Sequence, residues 1–251
     1  MPVNRRRETF LHNILEKLLD VLFPQECVYC EGERQGGGPF LCGLCREDLV
    51  WVTRPFCDLC GRPAETGYDF PHQKFQCAVC RKNTPYFDRA RSLGLYETVL
   101  KQLILCFKYG RQPGIVEEIE PLLQAYFAEE KENCRGFLVV PVPLHAAKMK
   151  ERGFDQSYLI AREVARAAGL PLDAGRLVRV RKTEPQAGMS KGDRLRNVRG
   201  AFRVTRPEEF RGRDILLVDD VFTTGATVNE AAKVLKQSGG RRVFVFTLAR
   251  A

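Results

Sequence analysis

Four Cys-x-x-Cys pairs stand between residues 27 and 80: Cys27/Cys30, Cys42/Cys45, Cys57/Cys60 and Cys77/Cys80. Two intervening residues let both thiolates of a pair face one ion from a tight turn, and a second pair completes the tetrahedral set that Zn²⁺ prefers. Eight ligands make two structural sites. The simplest division is sequential, with Cys27, Cys30, Cys42 and Cys45 on one ion and Cys57, Cys60, Cys77 and Cys80 on the other; the spacing also allows an interleaved division. Between these pairs the chain is rich in glycine and proline and poor in apolar runs, so metal takes the place of a conventional core. Disulfides are a weaker reading in a reducing compartment, and four pairs are too many for one redox active site. Cys106 lies in the apolar stretch Leu103 to Phe107 and Cys134 has no nearby partner, so both read as ordinary residues; His72, between the last two pairs, could ligate, but eight cysteines already fill two sites.

Composition returns to that of an ordinary globular protein after Asn83-Thr84-Pro85, which places a domain boundary near residues 81–89. Ahead of the cysteines, Leu11, Ile14, Leu15, Leu18, Leu19 and Leu22 recur at helical spacing until Pro24, predicting an amphipathic helix within residues 1–24. Its leucine face is expected to pack on the chain's own domains; the alternative, suggested by Arg5-Arg6-Arg7, is contact with a membrane or partner surface. The expected division is this helix, a zinc module over 25–82 and a third domain over 89–251. No stretch is long and apolar enough for a membrane span, and charges interrupt any signal-like region, so the cytoplasm, or the inner face of its membrane, is the expected location.

Over 89–251 apolar strands alternate with helices, which implies an α/β fold with a mainly parallel sheet flanked by helices on both faces. Helices are predicted at Val99 to Tyr109, Ile115 to Glu132, Gln156 to Ala168 and Thr227 to Gln237, with strands at Phe137 to Val142, Leu177 to Val180, Phe202 to Val204, Ile215 to Val218 and Val243 to Leu248. Charge is concentrated here as well. Residues 148–213 carry 17 Lys or Arg against 8 Asp or Glu, which accounts for the whole net charge of +9. A local cationic field attracts phosphorylated ligands or nucleic acid; the plainer reading is a solvated basic loop.

The most specific chemistry follows the strand Ile215 to Val218. Asp219 and Asp220 stand where a parallel sheet delivers ligand-binding groups, and can accept hydrogen bonds from ribose hydroxyls. Val221 and Phe222 lead into Thr223-Thr224-Gly225-Ala226-Thr227, whose backbone N–H groups and hydroxyls lie at the positive end of the next helix and suit a 5′-phosphate. The Gly-Lys-Ser/Thr ending of a Walker loop is missing. Upstream, residues 144–156 read as a loop whose Lys148 and Arg152 hold a pyrophosphate. Residues 182–202 read as a long structureless stretch, a basic lid carrying Gln186, Ser190, Lys191, Arg194, Arg196 and Asn197. Trp51, Phe56 and Phe75 are candidates for stacking on bases of a single strand.

These residues together resemble the ComF family, a double zinc ribbon followed by a type I phosphoribosyltransferase-like domain. The likeness rests on the paired cysteines, Phe107-Lys108-Tyr109-Gly110, Pro141-Val142-Pro143-Leu144-His145, Arg152-Gly153-Phe154, Gln186 through Phe202, and Leu216 to Thr227. Asp155 departs from it, since the family has Arg-Gly-Phe-Asn-Gln at that place. The resemblance implies a cytoplasmic protein that binds phosphoribosyl diphosphate with Mg²⁺, or a nucleotide, and serves uptake of single-stranded transforming DNA beside a helicase-like partner. A phosphoribosyltransferase acting on an unidentified acceptor is the alternative, with Asp219, Asp220, Lys148 and Arg152 as its catalytic groups.

Overall fold

The computed structural model describes residues 26–64, 75–184 and 189–251; the helix expected within 1–24, His72 and Gln186 lie outside them. Two compact units divide between Asp48 and Leu49. In the first, a turn at Cys27–Cys30 is followed by helix α1 (Gly43–Glu47), with Cys42 at its N-cap accepting the Cys45 N–H on sulfur.

The second unit opens with the Cys57–Cys60 turn and helix α2 (Ala78–Lys82), then enters the α/β layers. Among the described residues its sheet has four strands, β1 (Arg89–Leu95), β2 (Leu138–Pro141), β5 (Asp214–Phe222) and β6 (Arg242–Arg250), in the spatial order β1-β6-β5-β2 and all parallel. A short antiparallel ribbon joins β3 (Leu177–Arg179) to β4 (Phe202–Val204). Between the strands lie α3 (Thr98–Tyr109), α4 (Ile115–Glu130), α5 (Ala146–Arg152), α6 (Gln156–Ala168), α7 (Lys191–Val198) and α8 (Ala226–Gln237).

Alternation along the strands separates the two faces. Leu138, Val140, Ile215, Leu217, Val243 and Val245 share a core with Val228, Ala231, Ala232 and Leu235 of α8. Cys57, Cys60, Cys77 and Cys80 belong to that same core, so the second cysteine cluster packs on the sheet's α8 face. On the opposite face Phe246 meets Phe127 of α4 at 4.9 Å between ring centroids, and α6 lies against β5 and β2. With both faces covered, β5 is buried from Asp214 through Val218, as its unbroken apolar run requires.

Three expectations need correction. Residues 144–156 hold α5 rather than a loop: Ala146 to Arg152 are good helix formers, His145 Nδ1 accepts the Ala147 N–H, and Gly153 closes the helix at φ +84°. The helix buries no residue and so left no apolar period to read. The stretch 182–202 is not structureless either, because α7 occupies Lys191–Val198 with Ser190 as its N-cap. Asp219 to Phe222 continue strand β5, Asp219 pairing with Thr247 and Phe222 with Arg250, so the turn proper is Thr223–Gly225. Strand β1 was not foreseen: Arg-Ala-Arg-Ser-Leu-Gly-Leu has neither an apolar run nor strict alternation.

Candidate functional site

The C-terminal ends of β2 and β5 open into a cavity of about 340 Å³. Strand β5 brings Asp219 and Asp220 to its floor, and Thr223, Gly225, Ala226 and Thr227 form the adjoining wall where α8 begins. Thr224 is not among the lining residues; its hydroxyl oxygen accepts the Ala226 N–H at 3.4 Å and shapes the turn. Gly225 has φ +77°, and a Cβ built there would lie 2.5 Å from the Phe222 ring. Alanine at this position meets both a left-handed backbone and a buried ring. Gly225→Ala is expected to cost about 1–3 kcal/mol of stability, measurable by urea denaturation, and to disturb the turn.

The acids are not equivalent. Asp219 Oδ1 accepts the Ser157 hydroxyl at 2.8 Å and the Asp220 N–H at 2.9 Å, whereas Asp220 Oδ1 takes the Lys108 ammonium at 2.9 Å. Burial, with the Asp220 carboxylate adding to it, pushes the Asp219 carboxyl up to about 7, against the pull of Ser157 and Lys108. Burial works against the Lys108 ammonium, but the Asp220 carboxylate outweighs it and the net shift is upward. Lys108 belongs to the Phe107-Lys108-Tyr109-Gly110 segment; nothing in its spacing announced a partner 112 positions later.

A cationic wall faces the acids. Lys148 and Arg152 reach it from α5, Arg179 from β3 and Arg194 from α7. With Lys108 the lining holds five cations against the three acids Glu184, Asp219 and Asp220, a balance suited to a polyanion. Burial, together with Arg179 and Arg152, lowers the Lys148 ammonium from its ordinary value. Arg152 donates to Gln156 Oε1 at 2.8 Å and lies 5.5 Å from the Tyr109 ring centroid; Arg179 donates to the Thr183 hydroxyl at 2.5 Å. Tyr96, Ser157, Arg179 and Thr183 line the cavity without having been singled out in the sequence, because each stands alone between elements that only the fold brings together.

Of the residues assigned to a lid, Arg194 alone among those described lines the cavity. Ser190 caps α7, Arg196 pairs with Asp193 at 2.6 Å, and Asn197 is bound to the Glu184 backbone through both ends of its amide. The Lys191 backbone starts α7. Asp155 also acquires a structural role: its carboxylate accepts the Tyr158 N–H at 3.1 Å, capping α6, and the Leu144 N–H at 3.0 Å. An aspartate therefore serves where an asparagine oxygen would, although burial raises its pKa. Of the three aromatic candidates, Phe56 lies under Arg54 and Arg91 at 4.8 and 4.5 Å and Phe75 packs against the core, leaving Trp51 exposed.

The sulfurs of Cys27, Cys30, Cys42 and Cys45 gather in one group and those of Cys57, Cys60, Cys77 and Cys80 in another, each within 4.8 Å. Four thiolates about 2.3 Å from one tetrahedral ion lie about 3.8 Å apart. Cys30 and Cys42 sulfurs are 3.8 Å apart and those of Cys60 and Cys77 3.7 Å, so both groups fit Zn²⁺ in the sequential division. Burial opposes the Cys57 thiolate, but N–H groups at Cys60, Cys77 and Leu59 bring its pKa down to about 7. Cys106 and Cys134 stand outside both groups. Asp219 and Asp220 are the adjacent carboxylates of the cavity that could hold Mg²⁺, which prefers hard oxygen ligands.

A parallel sheet that delivers paired acids and a phosphate-type turn to one cavity defines a phosphoribosyltransferase-type domain. The phosphoribosyl transferase domain model matches residues 155–251, and the double zinc ribbon domain model matches 18–81. Competence protein F of Haemophilus influenzae is 32% identical over 91% of this chain and 98% of its own length. DNA utilization protein YhgH of Escherichia coli is 31% identical over 84% and 97%, and competence protein ComFC of Bacillus subtilis 28% identical over 96% and 96%. The chain belongs to the ComF family. The ribbon match runs across the division at Asp48, so its second half lies in the compact unit that carries the sheet. Among the described residues no helix is long and apolar enough to cross a membrane.

Proposed function

We propose that the cavity holds 5-phosphoribosyl diphosphate with Mg²⁺, or the 5′-phosphorylated sugar of a nucleotide, and that this binding serves the uptake of single-stranded transforming DNA. The observation that carries the reading is the set of groups that line one cavity. The Thr223–Gly225 turn and the start of α8 provide for a 5′-phosphate, Asp219 and Asp220 for ribose hydroxyls, and Lys148, Arg152 and Arg179 for a diphosphate. Lys108 holds Asp220 in place, and Ser157 orients Asp219. The role in DNA uptake is supported by the names of the relatives and by the concentration of positive charge in residues 148–213. In this reading the protein works in the cytoplasm or against the inner face of the membrane, beside a helicase-like partner.

The cationic wall favours a second reading, transfer of the phosphoribosyl group to an acceptor. In it Lys148 and Arg152 stabilise the departing pyrophosphate while Asp219 and Asp220 orient the sugar.

The proposal is tested by fluorescence anisotropy with a 5′-phosphorylated single-stranded oligonucleotide. If three or four backbone phosphates are neutralised, affinity falls roughly 20- to 50-fold between 50 and 200 mM salt, at about 0.7 per phosphate in the log–log slope. Phosphoribosyl diphosphate with Mg²⁺ is expected to displace the 5′ end. Affinity that is flat with salt removes the DNA half of the proposal.

A further inference from the structure

The second cysteine cluster and the phosphoribosyl turn are joined by one buried side chain. Arg250 ends β6 and is 4% exposed. Its Nη1 donates to the Cys60 carbonyl oxygen at 2.5 Å, and its Nη2 lies 3.6 Å from Cys60 Sγ. The same guanidinium lies over the Phe222 ring, 4.5 Å from its centroid. Phe222 in turn sits under Gly225, where a Cβ would come within 2.5 Å of the ring, and meets Phe87 edge-on at 5.9 Å. Backbone bonds tighten the connection: the Arg250 carbonyl accepts the N–H of Tyr96, which lines the cavity, at 2.6 Å, and the Phe222 carbonyl accepts the Ala251 N–H at 3.0 Å.

We propose that Arg250 is a positioning residue that couples the second four-cysteine cluster to the phosphoribosyl turn, so that order at Cys60 and order at Thr223–Gly225 rise and fall together. The chemistry at both ends supports this. Four thiolates around a divalent ion carry a net double negative charge, and a buried guanidinium donating to one sulfur and its carbonyl fixes that ligand from outside, as outer-shell partners do. The guanidinium over the Phe222 ring holds it against the side of Gly225 that a side chain would occupy. Coupling free energies are reciprocal, so a ligand that orders the turn must also tighten the cluster. That last consequence rests on the cavity being a phosphoribosyl site; the coupling itself does not.

The test uses the full-length protein with both clusters loaded with Zn²⁺ and the variant Arg250→Lys, which keeps a cation but loses the planar fork. Amides of residues 223–227 are expected to exchange about 10-fold faster in the variant, with those of β2 unchanged. Chelator-driven zinc release is expected to accelerate about 10-fold for one of the two ions only. In the unsubstituted protein, saturating phosphoribosyl diphosphate is expected to slow release of that same ion at least 5-fold, and this protection is lost in the variant. Arg250→Lys protein with unchanged turn exchange and zinc release overturns the inference. If that variant loses protection throughout the sheet, Phe222→Leu decides, because it removes the ring face while keeping apolar volume; unchanged zinc release there overturns the inference equally. Absence of diphosphate binding to the unsubstituted protein defeats the proposed function alone, since the exchange and release measurements without ligand still report the coupling.

Discussion

Lys108→Met is expected to lower stability by about 3–5 kcal/mol at pH 8 and by less at pH 5, read from urea midpoints at the two values. Lys108 and Asp220 are 17% and 13% exposed at their side chains, and removing one partner of a buried pair leaves the other charge uncompensated. The sign of the pH effect follows from Asp219. A carboxyl whose folded pKa is raised binds its proton more tightly when folded, so the stability it contributes is complete below its unfolded value near 4. That contribution is lost as pH rises through the folded value, about 7 for Asp219. Without the Lys108 ammonium the acids repel each other unopposed and this loss grows. A deficit that is equal at pH 5 and pH 8 would contradict the assignment of Lys108 as the counter-charge.

The second large effect separates the two metal sites. Cys57→Ser with Cys60→Ser is expected to abolish cooperative unfolding of the unit that carries the sheet. The corresponding Cys27→Ser with Cys30→Ser change is expected to leave that transition in place. Structural Zn²⁺ contributes on the order of 10–16 kcal/mol in small modules, more than most domains have in reserve. The second cluster is built into the sheet's core: its sulfurs are buried, Leu59 accepts the Ala90 N–H at 2.6 Å, and Asp58 accepts from Arg91 at 3.0 Å. Calorimetric scans of both variants, with zinc content measured, check this. A sheet transition that survives loss of the second ion would show that the cluster is an appendage.

That integration was invisible along the chain, where composition marks a boundary near residues 81–89. Composition reports how a segment is stabilised and says nothing of what it packs against. The four Cys-x-x-Cys pairs, the buried strand at Ile215 to Val218 and the acids after it were legible because each needs only short-range spacing. Helices α5 and α7 were not, since neither presents a continuous apolar face, and β1 hid behind its arginines and glycine. In the site, Asp219, Asp220, Lys148 and Arg152 were found from local pattern and line the cavity. Lys108, Ser157 and Arg179 join them from distant elements, and only the order β1-β6-β5-β2 and the helices around it bring those together. Asp155, which departs from the family's asparagine, is a helix cap, a role visible only once α6 is in place.

In the proposed function the end of β5 and the turn before α8 hold a phosphoribosyl group. Calorimetric titration of the zinc-loaded protein with phosphoribosyl diphosphate and Mg²⁺, beside the same titration of Asp219→Asn/Asp220→Asn protein, tests it most directly. Saturable, Mg²⁺-dependent heat is expected from the first, and an affinity at least about 100-fold weaker from the second, as loss of two charge-assisted sugar contacts implies. Equal affinity in both proteins, or no binding by the protein with its acids intact, would contradict the account.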